Sequence, residues 1–367
     1  MRHSLSHLFT LISSLLAIVS CSGGGHTSGH MSGEAQFLSV IEKADGIYEI
    51  VSISPFDGHA DTLVVGHPME RLVTMSTSYI GFLDAIGCDS IVCGVSGLDF
   101  VSSPSVQALS DSGRIFEIGY DAAPDYERIV SLHPDLLLTY SVSSAKSQFV
   151  SRLESLGIPV FYVHEHLETD PLARASYIRL FGALAGNMAA ADSVFNEVKD
   201  DYQALVAAVE EKAVQRRKVL VNIPYNDQWF IPGAENYVSR FIHDAGGEIL
   251  GSVEGETTSS TISIERAYSL SQEADIWLNV SWCNSLGQLL GVNPLFKDML
   301  DNIDRNSEGR GFDGPLVWND NLRTSAKGGN DIWESGVVRP DLVLKDLVHA
   351  MHPEVESGST VYYRPLE

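Results

Sequence analysis

From residue 47 onward, short apolar runs alternate with amphipathic stretches. Ile47-Tyr48-Glu49-Ile50-Val51-Ser52-Ile53 follows the period of two expected of a strand, and Asp61 to Val65 reads as its hairpin mate across Pro55-Phe56-Asp57-Gly58. Leu72 to Met75, Ile91 to Val95, Arg114 to Ile118, Leu136 to Thr139 and Val160 to Val163 are further predicted strands. Helices are predicted after Ser78, Ser103, Pro124 and Ala145. Continuous apolar strands separated by helices indicate a parallel sheet covered on both faces.

Asp170-Pro171 is a cap and first-turn pair that predicts a helix running to Gly186. A longer helix follows from Asn187, where Val194, Val198, Tyr202, Leu205 and Val209 form one apolar stripe. At about 25 residues it would be roughly 38 Å long. Its opposite face carries Asp192, Glu197, Asp200, Asp201, Glu210 and Glu211, which reads as solvated surface. A second alternating set then begins, with strands at Lys218 to Asn222, Asp275 to Val280 and Leu316 to Trp318, and helices from Glu235, Ser263, Pro294 and Ser335. The predicted class is α/β: two Rossmann-like lobes with parallel-sheet cores, joined by one long α-helix, with a ligand cleft between them. A single stiff connector permits only a modest change of angle between lobes.

One pattern occurs in both lobes. Glu127-Arg128-Ile129-Val130-Ser131-Leu132 is answered by Glu265-Arg266-Ala267-Tyr268-Ser269-Leu270, and each is followed by an acid and an apolar strand, Asp135-Leu136-Leu137-Leu138 and Asp275-Ile276-Trp277-Leu278. Each lobe therefore offers one carboxylate near the start of a short helix. An acid there also offsets the helix dipole, by about 0.3–1 kcal/mol.

The first residues carry Arg2 and His3, an apolar run from Leu8 to Val19, and Ser20 before Cys21. That is the pattern of a secretory signal, too short at about 12 residues to span a bilayer, which takes about 20. Ile18-Val19-Ser20-Cys21 resembles the lipobox of bacterial lipoproteins, which implies cleavage before Cys21 and a diacylglycerol on its sulfur. The expected boundaries are a signal peptide at 1–20, a lipidated flexible tether at 21–44, an N-terminal lobe with an extra hairpin at 45–186, the connecting helix at 187–214, a C-terminal lobe at 215–354 and a tail at 355–367. The chain has 24 basic and 48 acidic residues, a formal charge of −24. That balance argues against nucleic acid and against electrostatic adhesion to anionic lipid. Cys88, Cys93 and Cys283 fit no zinc or haem-attachment spacing. Cys93, in the apolar run Ile91 to Val95, reads as a buried free thiol, and a Cys88–Cys93 bond is the alternative.

In open α/β sheets, ligands occupy the crevice beyond the carboxyl ends of the strands. The residues there are aromatic: Tyr79, Tyr120 and Tyr140 in the first half, Tyr225, Trp229, Trp282 and Trp318 in the second, with Trp333 in the loop before the last helix. As a group they predict a cleft that grips a flat or apolar ligand, with Arg323, Lys327 and Asn319 available to its acidic groups. Each ring taken singly is equally consistent with packing between the lobes. His164-Glu165-His166 places two imidazoles at a period of two on one strand face, yet two ligands make a poor site, and no metal site is expected. Tyr120 is either a wall of the cleft or a candidate axial ligand for haem iron. No nucleophile elbow, phosphate loop or H-E-x-x-H occurs in the sequence, and an enzyme is disfavoured.

Arg71-Leu72-Val73, Leu83-Asp84-Ala85-Ile86-Gly87, Ile91-Val92-Cys93-Gly94-Val95, Pro124-Asp125-Tyr126-Glu127 and Leu132-His133-Pro134-Asp135-Leu136, with the central helix and lipobox, resemble the periplasmic substrate-binding proteins that serve importers of iron-siderophores, haem and cobalamin. The similarity covers roughly residues 68 to 352. It implies a substrate-binding component of an ABC importer that captures an iron complex of the siderophore type, with cobalamin or haem as the alternative cargo and no resident cofactor. It further implies that Glu127 and Glu265 pair with arginines of a permease dimer carrying ATPase subunits, and that the chain works as a monomer at the periplasmic face of a bacterial membrane, held only by its lipid. A two-lobed metal-dependent enzyme or cofactor-assembly protein shares the architecture; the cluster-assembly reading requires cysteines placed as ligands, which three irregular ones do not supply.

Overall fold

The computed structural model describes residues 33–44 and 46–367. The signal segment, Cys21 and the first half of the tether, residues 21–32, lie outside the described residues. The chain opens with an antiparallel sheet of three strands, β1 (Leu38–Ala44), β2 (Ile47–Ile53) and β3 (Ala60–Val65), in the order β1-β2-β3. The hairpin read from the sequence is therefore the second half of a larger unit. The expected tether is shorter than 21–44, because Leu38–Ala44 is paired along β2 and Gly33 already lies against Phe195 and Leu172.

The N-terminal lobe is a five-stranded parallel sheet in the order β10-β9-β4-β5-β6. Its strands are β4 (Leu72–Thr74), β5 (Val92–Val95), β6 (Phe116–Glu117), β9 (Leu136–Thr139) and β10 (Val160–Tyr162). A two-residue ladder, β7 (Gly119–Tyr120) with β8 (Ala123–Pro124), follows β6. The helices are α1 (Thr77–Ala85), α2 (Pro104–Asp111), α3 (Tyr126–Ser131) and α4 (Gln148–Ser155). Every residue of β4, β5 and β9 is buried, which is why these strands read as unbroken apolar runs. Alternate residues serve opposite layers. Leu72, Val95 and Leu138 face a core with Phe82 and Phe181, whereas Val73 and Leu137 face Phe149 and Leu153.

The helix expected over 170–186 is two helices, α5 (Pro171–Ala175) and α6 (Ile178–Ala185). Ser176 turns its hydroxyl onto the Ala173 carbonyl, and Tyr177 turns inward to donate to Glu168 at 3.0 Å, so the two sequence segments follow different axes. The long helix α7 (Met188–Glu211) has 24 residues, about 36 Å. It packs on α6 on one side and on the last helix, α13 (Pro340–Met351), on the other. The Tyr202 hydroxyl donates to Asp244 of α8 (Tyr237–Asp244) at 2.9 Å. The connector is thus seated on both lobes along its length.

The C-terminal lobe has strand order β13-β11-β15-β16-β17. Strands β11 (Arg217–Val221), β13 (Gly247–Ile249), β15 (Ile276–Leu278) and β16 (Val317–Asn319) run parallel, and β17 (Arg364–Pro365) closes the edge in the antiparallel sense. The segment expected to be a tail is therefore part of the core, with Tyr362, Tyr363 and Leu366 buried and Asp346 accepting from the backbone N–H groups of Val361, Tyr362 and Tyr363. Strands β12 (Trp229–Ile231) and β14 (Ser260–Ile262) form a separate antiparallel pair. Around these lie α9 (Ile264–Ser271), α10 (Leu286–Val292), α11 (Leu295–Gly309) and the short α12 (Ser335–Val338).

A loop of the C-terminal lobe fastens the two halves together. Glu334, 2% exposed, accepts from the backbone N–H groups of Ser102 at 2.7 Å and Ser103 at 2.8 Å, where α2 begins. A carboxylate at a helix N-terminus meets orphan donors and a favourable dipole. Beside it, Gly81 of α1 abuts the Glu334 backbone so closely that a Cβ there would lie 2.3 Å from the Glu334 carbonyl oxygen. Lys327 pairs with Asp99 at 3.2 Å, and the Ser325 hydroxyl donates to the Asp99 carbonyl.

Two outcomes follow from this fastening. Gly81→Val is expected to lose about 1–3 kcal/mol through overpacking, read as a lower urea midpoint with the m-value unchanged. Burial pushes the Glu334 carboxyl up to about 7 despite its two N–H donors, and the charges of Asp331 and Asp84 add to the rise. A group whose folded pKa is raised stabilises most when protonated, so this contribution is complete at low pH and is lost as pH climbs through about 7. Glu334→Gln should flatten that slope when urea unfolding is compared at pH 5 and pH 8.

Candidate functional site

The repeated segments form matching helix starts. In α3 the Asp125 carboxylate accepts from the Arg128 N–H at 2.9 Å; in α9 the Ser263 hydroxyl accepts from the Arg266 N–H at 3.3 Å. Each is a side-chain cap to the third helical N–H. The second helical position is then Glu127 in one lobe and Glu265 in the other, and both are exposed. The Ser263 hydroxyl and its own N–H lower the Glu265 pKa, so this carboxylate is firmly charged at neutral pH. The capped turn presents each acid outward, and neither forms an ion pair among the described residues.

The carboxyl ends of the two sheets carry open cavities. On the N-terminal lobe, a cavity of about 470 Å³ is lined in part by Ser96, Phe100, Tyr120, Asp121, Tyr140 and His166. On the C-terminal lobe, Trp282, Asn284, Gln288, Gly291 and Val292 line another of about 740 Å³. Neither lining includes a lysine or arginine among the described residues. Tyr120 is 51% exposed, Trp282 55% and Tyr225 65%, so these rings are open to solvent. Tyr140 is half-buried, edge-on to His166, and Trp333 is also exposed.

Two of the expected aromatic contacts, Trp229 and Trp318, are core residues, and Tyr79, which borders the N-terminal cavity, is packed into the core as well. Tyr79 is fully buried; its ring packs against Phe181 and its hydroxyl donates to the Thr139 and Val163 carbonyls. Trp229 stacks on Trp277 and meets Phe296 edge-on, with its indole N–H on the Val221 carbonyl at 2.8 Å. Trp318 is 4% exposed and donates to the Pro315 carbonyl. Tyr79 lies in the first turn of α1, Trp229 opens β12 and Trp318 lies within β16, so all three rings are packed into the elements that carry them. The expected cations are also committed. Arg323 pairs with Asp331 at 2.9 Å, Lys327 with Asp99, and Asn319 is buried on the Ser281 and Cys283 carbonyls.

His164-Glu165-His166 does not share a strand face, because β10 ends at Tyr162 and Glu165–Leu167 is a single tight turn. His164 is buried, stacked on Tyr162, and desolvation lowers its pKa to about 4. Of the two imidazoles only that of His166 reaches the cavity wall, with Glu165 beside it. Glu165 is buried on the Ser78 hydroxyl at 2.8 Å, with His166 and Arg174 holding its pKa down against the cost of burial. No group of three or more His, Cys, Asp or Glu that could hold a metal occurs among the described residues. Cys88, Cys93 and Cys283 are free thiols, and burial raises Cys93 to about 11. The sequence reading did not single out Asp121, Asn284 or Gln288. Their signal was faint, namely polar residues placed beside Tyr120 and Trp282.

Residues 72–305 match the family described as Periplasmic binding protein. An uncharacterised lipoprotein of Methanocaldococcus jannaschii is 25% identical over 310 residues, covering 82% of this chain and 69% of that protein. A cobalamin-binding protein of Halobacterium salinarum is 27% identical over 207 residues, 56% of this chain and 53% of that protein. Among solved structures, a periplasmic binding protein from Veillonella parvula superposes with a TM-score of 0.61 at 19% identity, covering 85% of this chain and 99% of that one. A periplasmic haem-binding protein from Pseudomonas aeruginosa gives 0.60 at 18% identity, covering 82% and 98%. These superpositions bear out the two-lobed α/β fold. With the matched region running from the first strand of the N-terminal sheet through the connecting helix and into the C-terminal lobe as far as α11, the chain belongs to the periplasmic binding protein family, whose members bind substrates and are not enzymes.

Proposed function

We propose that the chain is the receptor of an ATP-driven importer and that its cargo is an uncharged metal chelate of the corrinoid type, carried to a permease dimer. The observation that carries this reading is the composition of the cleft. Exposed Tyr120 and Trp282 offer broad apolar faces, and Asp121, Asn284 and Gln288 offer acceptors and amides, while both open linings lack lysine and arginine among the described residues. A ferric siderophore or haem brings anionic groups that such walls leave unpaired. A corrinoid presents a large flat ring with neutral amide arms, which these groups match. The similarity to a cobalamin-binding protein supports the same choice. An iron chelate, the first expectation from sequence, remains the second reading because Tyr120 is exposed and a phenolate can bind ferric iron.

Docking is the other half of the proposal. Two exposed carboxylates on equivalent capped turns, one per lobe, suit two guanidinium groups on a two-fold partner and fix the register of the complex. The lipid on Cys21 supplies the membrane attachment in this reading, since a net charge of −24 gives anionic headgroups nothing to attract.

Three measurements check this. Purified protein titrated with cyanocobalamin should show calorimetric uptake, and Trp282→Ala should weaken it about 30-fold, near 2 kcal/mol, with the unfolding midpoint unmoved. Haem should leave the Soret band unshifted; a shift abolished by Tyr120→Ala would transfer the assignment to haem. Charge reversal at Glu127 and Glu265 together should stop uptake by cells while soluble affinity is retained, and a fall in affinity would remove these acids from docking.

A further inference from the structure

Between the lobes, apart from the two open cavities, lies a smaller and more enclosed one of about 50 Å³. Its wall includes Arg174 of α5, Tyr237 of α8, Asn279 just after β15, Asp320 just after β16, Trp333 and Tyr363. It therefore sits at the carboxyl ends of two C-terminal strands, with the N-terminal lobe supplying the guanidinium.

Two charges of opposite sign are buried here and do not neutralise each other. Arg174 is 7% exposed; its Nε donates to the Glu165 carbonyl at 3.1 Å and its guanidinium lies 4.1 Å over the Tyr237 ring. Neither of its Nη atoms has a hydrogen-bond acceptor, and it enters no ion pair, among the described residues. Asp320 is 9% exposed, held by its own backbone N–H and the Asn330 side chain, and likewise enters no ion pair among the described residues. Leaving a buried cation and a buried anion in one cavity without a shared partner is costly. An occupant with an acceptor at one end and a donor at the other answers both.

The chemistry of that occupant is narrow. A carboxylate would satisfy Arg174 and set a second negative charge toward Asp320; an ammonium group would do the reverse. A primary carboxamide is neutral and bifunctional, its carbonyl accepting from Arg174 and its NH₂ donating to Asp320. Asn279 cannot take over the acceptor role freely, because its side-chain oxygen already accepts from the Tyr363 hydroxyl at 2.8 Å. The space suits a short arm: at roughly 10–15 Å³ per water, it is a volume for a few waters or one amide on a one- or two-carbon stem. Trp333, 46% exposed, both lines the cavity and meets solvent, and so stands at its entrance.

We propose that this cavity receives a primary carboxamide arm of the transported chelate, Arg174 donating to its carbonyl and Asp320 accepting from its NH₂. The assignment rests on the reading of the cleft as a chelate receptor and adds the subsite that selects amides over acids.

The test uses the full chain and two probes, dicyanocobinamide with every arm an amide and its acid-hydrolysed form bearing carboxylates. The wild type should bind the amide form at least 10-fold more tightly. Asp320→Asn should reduce that preference to about 3-fold or less, whereas Arg174→Met should weaken the amide form about 10-fold without reducing the preference, and Arg174→Lys should restore part of that affinity. Burial raises the Asp320 carboxyl to about 6, so wild-type affinity for the amide should strengthen as pH rises through 6, and Asp320→Asn should remove the step. The other ionisable groups lining the cavity are Arg174, Tyr237 and Tyr363, a guanidinium and two phenols, and Glu334 beside Trp333 is raised to about 7, so the step belongs to Asp320 when Asp320→Asn removes it and Glu334→Gln leaves it in place. Unchanged preference in Asp320→Asn, or unchanged affinity for the amide form in Arg174→Met, with intact unfolding midpoints would mean that the cavity holds only water, and would overturn the subsite while leaving the receptor reading standing. Failure of the wild type to bind corrinoid, haem or ferric chelate would overturn both.

Discussion

The Glu334 carboxylate, taken out of water and held by the Ser102 and Ser103 N–H groups, fixes where one lobe meets the other. Its backbone presses on Gly81, which has no side chain to resist, so α1 and α12 approach more closely than any larger residue would allow. With Lys327 on Asp99 and α7 bedded on both halves, the groove between the lobes has its shape set before a ligand arrives. The cost is a buried acid that resists ionisation.

Around this fixed frame the polar groups divide the work. The acids that reach solvent from capped turns, Glu127 and Glu265, lie on helices α3 and α9, one from each lobe, whereas the groups at the carboxyl ends of the strands are rings, amides and hydroxyls together with Asp121, Glu165 and His166. Cations that sequence alone would assign to the cleft are spent on structure: Arg323 on Asp331 and Lys327 on Asp99. Arg174 is the exception, a guanidinium buried under Tyr237 with unused donors.

The legible parts of the chain were those decided locally. Caps are read from adjacent residues, so the turns bearing Glu127 and Glu265 and the start of α7 at Asn187 were visible in sequence. Strands buried on both faces announce themselves as apolar runs. Strands of two or three residues do not, and β12, β13, β14 and β17 passed unnoticed because so short a run has no period. The aromatic errors share one cause. Residue order places Trp229 and Trp318 near strand ends but says nothing of which side of the sheet their Cβ faces. Glu334, Arg174 and Asp320 gain their significance from partners far away in sequence, and no local pattern marks them.

A helix of 24 residues wedged against α6 and α13 also bears on how cargo leaves. A receptor free to gape would shed its load by thermal breathing alone. Here the splint resists such breathing, and under the importer reading proposed above unloading would demand mechanical work from whatever grips the two halves.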